Sequence, residues 1–144
     1  MPFPELTNRL LRLFNIKDSS EAATSIPLDR PLTLEEQSLI EWLLLHGEPS
    51  ASEFLPQLEA AHVYCGCSCG CPTINIEVPV SIPAAHAQSN ILADFVAGTD
   101  ENPVGVILFQ AGGRLSGLEV YAFGDPPIPF GLPDPTTVRL FEKK

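Results

Sequence analysis

The hydrophobic period changes once along this chain, at the stretch His62-Val63-Tyr64-Cys65-Gly66-Cys67-Ser68-Cys69-Gly70-Cys71-Pro72, and that change constrains the fold more than any other feature. Upstream, apolar residues recur at helical spacing; downstream, they alternate as strands do. Thr33-Leu34-Glu35-Glu36 fits a capping box, in which the hydroxyl and the carboxylate each satisfy a free backbone N–H at a helix start. Leu39, Ile40, Leu43 and Leu44 form the inward stripe of that helix, widened by Trp42 and Leu45. His46 falls in its last turn, where positive charge suits the helix dipole, and Gly47 is expected to stop it in a left-handed conformation. Ser50-Ala51-Ser52-Glu53 repeats the capping pattern and predicts a further helix through Phe54, Leu55, Leu58 and Ala61, limited by Pro56.

Two more segments precede these. Residues 1–16 predict an amphipathic helix through Leu6, Leu10, Leu13 and Phe14, and residues 17–31, polar and bounded by proline, read as a linker. Residues 32–144 then form a single domain, a size consistent with 44% hydrophobic content.

Beyond the cysteines, Ile74, Ile76, Val78, Val80 and Ile82 alternate as a half-buried strand, and Pro79 marks a free edge. The runs ILADFVAG, VGVILFQ and RLSGLEVYAF then predict an antiparallel meander, with Gly112-Gly113 at a tight turn that needs positive φ. Asp94 and Glu119 sit on these strands, by default on a solvated face. A proline-rich tail should lie over the sheet through Ile128, Phe130 and Leu132. Helices precede strands, so the expected class is α+β: about three N-terminal helices packed on an antiparallel sheet of four to five strands.

All four cysteines stand at alternate positions, Cys65, Cys67, Cys69 and Cys71. On a straight strand they share one face but span roughly 20 Å, too far for one zinc ion holding each sulfur at about 2.3 Å. A metal site therefore requires the segment to fold back, which Gly66 and Gly70 permit, and thiolates at Cys-x-Cys spacing suit zinc or copper(I). His62 and His86 are candidate additional ligands. The competing reading is a core strand, because free cysteine behaves as a small hydrophobe. A disulfide between same-strand neighbours is geometrically poor, and a nucleophilic thiol lacks a nearby Lys or Arg to lower its pKa.

Charge speaks to partners. The formal net charge is −10, and between Pro31 and Val138 the only Lys or Arg is Arg114. Such a body repels nucleic acid and attracts a basic protein. No apolar run reaches the roughly 20 residues of a membrane span, and the first residues lack a signal-peptide pattern, so a cytoplasmic chain with reduced thiols is expected.

The segment VGVILFQAGGRLSGLEVYAFGD, followed by LPDP, resembles the C-terminal half of small bacterial α+β proteins, some of them immunity-like, over Val104 to Pro135. That resemblance implies no catalytic residues. With no G-x-S-x-G, H-E-x-x-H or phosphate-cradling loop, the sequence points to a non-enzymatic, acidic protein-binding (immunity-like or adaptor) chain. The alternative is a cysteine-cluster metal protein.

Overall fold

A computed structural model describes residues 25–124 and 130–140. The predicted helix over 1–16 and the tail residue Ile128 lie outside them. Six strands run in chain order: β1 (Ser25–Pro31), β2 (His62–Cys67), β3 (Ile74–Glu77), β4 (Ile91–Gly98), β5 (Pro103–Ala111) and β6 (Arg114–Ala122). They form one sheet, ordered β1-β2-β3-β6-β5-β4, with every pair antiparallel. The meander β4-β5-β6 closes against β3, and the long 78–90 connection carries the chain from β3 to the far edge, a Greek-key return.

The expected balance of helix and sheet is overturned. The described residues are mostly sheet, with one α-helix, α1 (Leu34–His46), and a 3-10 helix (Ala51–Gln57), besides a single 3-10 turn at Pro135–Thr137. The additional strand is β1, which arises from the C-terminal part of the stretch read as a linker and pairs with β2. Polarity concealed it: of its seven residues only Leu28 packs against the core, as befits an edge strand broken by Pro27 and Pro31. The third helix tightens to 3-10 around Pro56, and Ser50 makes no side-chain cap.

Helix α1 starts as its sequence dictates. Thr33 accepts the Glu36 N–H and Glu36 accepts the Thr33 N–H, completing the capping box. Glu36 also takes a two-pronged ion pair from Arg30, at 2.8 and 3.0 Å, tying α1 to the edge strand. Leu39, Ile40, Leu43 and Leu44 are buried, but Leu45 faces solvent, so the apolar stripe is narrower than the sequence suggests. Gly47 has φ of −85°, not left-handed. Its requirement is space: a Cβ there would lie 2.2 Å from the Leu92 carbonyl oxygen of β4.

The core lies between this helical layer and one sheet face, joining Leu43 and Phe54 to Val63, Ile76, Leu92, Val106, Leu118 and Val120. Gly112 and Gly113, with φ of +61° and +83°, make the predicted β5–β6 turn. Asp94 and Glu119 are exposed on the sheet, as expected of a solvated face. Phe130 and Leu132 of the tail pack against the core, and Arg139 bridges Val96 through both backbone groups, covering part of the β4 edge. The strand after the cysteines ends at Glu77; Val78 is still buried, whereas Val80 is 60% exposed.

Candidate metal centre

The cysteine segment is a strand for only its first half. Register against β3 shifts between Val63 and Cys65: Val63 opposes Ile76, Cys65 opposes Asn75, and Gly66 opposes Ile74. Directly paired residues share a face, and Ile74 and Ile76 belong to the core, so the bulge turns Cys65 away from it. Cys65 is buried, 7% exposed, yet outside the core cluster, and its thiol points to the Gly66 carbonyl at 3.7 Å. The bulge therefore takes Cys65 off the core face, and the end of β2 at Cys67 breaks the alternation of the sulfurs that follow.

From Cys67 the chain turns. Gly70 takes φ of +99°, which only glycine adopts without strain. The Thr73 hydroxyl then accepts the Val120 N–H at 2.9 Å and donates to the Val120 carbonyl at 3.0 Å, anchoring the exit of the turn to β6. Folding back brings Cys67, Cys69 and Cys71 together, all three sulfurs within 4.8 Å of one another. One ion holding three thiolates at about 2.3 Å needs its sulfurs about 4 Å apart, so small side-chain adjustments suffice.

The turn also supplies the hydrogen bonds that a sulfur-rich site uses. The Cys69 N–H donates to the Cys67 sulfur and the Cys71 N–H to the Cys69 sulfur, each at 3.4 Å. Burial, with the thiol hydrogen bond to Cys69, pushes Cys67 up to about 12. Cys69 moves the other way: hydrogen bonds from the Cys67 and Cys71 thiols and from the Cys71 N–H hold it below the usual thiol value. Between Cys67 and Cys69, the turn therefore favours the thiolate at Cys69, the exposed member.

The described cations are engaged elsewhere. Arg30 binds Glu36, Arg114 donates to the Val80 and Ile82 carbonyls, and Arg139 to the Gly98 and Thr137 carbonyls. Neither candidate histidine joins the sulfurs. His62 pairs with Asp29 across β1 and β2, a partner that the 33-residue separation hides from sequence reading. His86 follows Ala85, whose N–H bonds the Gly113 carbonyl at the start of β6. The cysteine turn is pinned to Val120 near the other end of that strand, about 23 Å away along extended backbone. Among the described residues, Cys67, Cys69 and Cys71 are the one group of three or more His, Cys, Asp or Glu side chains close enough to hold a metal ion.

Two surface hollows have no cysteine in their lining, one between the start of α1 and Leu132–Pro135, the other around Phe109 and Asn75. No helix among the described residues is long and apolar enough to cross a membrane. Comparison with protein-family models, curated proteins and solved structures finds no match.

Proposed function

We propose that this chain is a metal-binding protein whose centre is the thiolate cluster Cys67, Cys69 and Cys71, suited to a soft ion, zinc or copper(I). The observation that carries this reading is the convergence of three sulfurs at one glycine-assisted turn. Core packing gives no reason for it, because no cysteine belongs to the core cluster. A catalytic thiol would want a cation or an imidazole beside it, and the described arginines and His62 are otherwise engaged. A metal ion is itself the missing counter-charge, and its binding would expel the proton held on Cys67. Titration of the reduced protein with zinc against a chromophoric chelator should give about one ion per chain. That stoichiometry should survive Cys65→Ala and disappear in Cys69→Ser; no binding by the reduced wild type would end the metal reading.

A second reading keeps the acidic body as a docking surface for a basic protein, in the manner of an immunity-like or adaptor protein. It is favoured by the helical layer, where Glu35, Glu41, Glu48, Glu53 and Glu59 are all exposed and no Lys or Arg intervenes. Such binding should weaken steeply with added salt and with Glu→Lys changes at Glu41 and Glu48. Salt-insensitive association with a neutral partner would contradict it.

A further inference from the structure

The number and placement of sulfurs select among soft ions. We infer that the physiological occupant is copper(I), held by three thiolates as exchangeable cargo, an inference that rests on the thiolate-metal reading above. Structural zinc is closed by four ligands. Here the fourth cysteine, Cys65 on β2, lies outside the three-sulfur group, the nearest histidine in sequence is held by Asp29, and His86 lies along the sheet at the other end of β6. The cluster thus presents three soft donors and no nitrogen or carboxylate among the described residues. Thiolates suit both ions, but monovalent copper is satisfied by two or three of them, whereas a set of three leaves zinc short of its fourth ligand.

Two further observations make the ion cargo instead of a fold element. Cys69 is exposed and the other two sulfurs are only half-buried, so an incoming thiolate can reach the ion. In such an exchange a copper–sulfur bond to the acceptor forms, one to this chain breaks, and the freed cysteine takes up a proton. The core, meanwhile, closes without any cysteine, and the turn is fixed at its exit by Thr73 and Val120. A zinc finger, by contrast, folds only when its metal binds.

The test is anaerobic competition on the full chain. Protein loaded with zinc is given an equal amount of copper(I), and the bound metal and its copper-edge X-ray absorption are measured. Displacement of zinc, about one copper per chain and a shell of three sulfurs without nitrogen are expected. Cys65→Ala should leave the copper affinity within about twofold, while Cys67→Ser, Cys69→Ser and Cys71→Ser should each lower it at least about tenfold, with circular dichroism confirming that each variant is folded. The metal-free chain should unfold cooperatively. Zinc that resists displacement, a copper shell containing nitrogen, or a metal-free chain without a cooperative transition would overturn the inference while leaving a metal centre in place. Binding of neither ion would remove both.

Discussion

Gln57 is 1% exposed and occupies the junction of the 3-10 helix, the β5–β6 turn and the 78–90 connection. Its side-chain carbonyl accepts the Leu115 N–H at 2.9 Å, and its amide donates to the Gly113 carbonyl at 2.8 Å and the Pro83 carbonyl at 3.4 Å. Gln57→Leu keeps the volume but orphans the buried Leu115 N–H, costing about 1–3 kcal/mol, while Gly113 still accepts from Ala85. With the lost amide bond and some offset from apolar burial, the expected destabilisation is about 2–3 kcal/mol. Gln57→Glu separates hydrogen bonding from shape. The ionised carboxylate still accepts from Leu115 but opposes the Gly113 oxygen, whereas the protonated acid can make both bonds. Its folded-state pKa is therefore raised, so its deficit should be smallest below about pH 4.3 and grow by about 1.4 kcal/mol per pH unit until the folded-state value is passed. Urea unfolding in the presence of a chelator, which holds the metal state fixed, measures both variants from pH 4 to 7. A Leu variant within about 0.5 kcal/mol of wild type, or a Glu variant whose deficit is flat with pH, would refute this account of the junction.

Further predictions concern other parts of the fold. Burial opposes the Glu36 charge, but the bonds from Arg30 and Thr33 prevail and its pKa is lowered; its stabilisation is present above its unfolded value and lost as pH falls through the folded one. Glu36→Gln should cost about 1–3 kcal/mol near pH 7, limited because Arg30 is partly exposed, with the gap to wild type closing below about pH 4 in urea titrations. Gly47→Ala drives a Cβ into the Leu92 backbone and should destabilise by about 2 kcal/mol or more. Gly105→Ala meets only the movable Tyr121 ring and should change stability by less than about 1 kcal/mol in the same assay. In the metal-free protein, mass mapping after brief iodoacetamide treatment should find Cys69 labelled first, Cys67 slowly, and Cys65 only after unfolding.

Local chemistry was legible where one segment settles its own structure. The capping box at Thr33, the stripe from Leu39 to Leu44, the Gly112-Gly113 turn and the β4–β6 meander all follow from neighbouring residues. What failed depends on distant partners. Strand β1 is polar because its strand character comes from pairing with β2, and Pro56 tightened a pattern that otherwise reads as α-helical. Gly47 was conspicuous for the wrong reason: its neighbour in space, Leu92, is invisible in the local sequence. The cysteines offered two geometries, a straight strand or a fold-back, and the alternating spacing could not decide between them. The end of β2 at Cys67 and the left-handed Gly70 decide it, with Cys65 outside a cluster of three.

The most direct test of the central claim, that Cys67, Cys69 and Cys71 together hold one soft metal ion, is the metal content of untagged protein purified anaerobically without chelator, measured alongside its reactive thiols. The account predicts near-stoichiometric copper or zinc, with these three thiols protected until the metal is removed. A chain that comes out free of metal, binds none on reconstitution and shows Cys69 reacting freely throughout would contradict it.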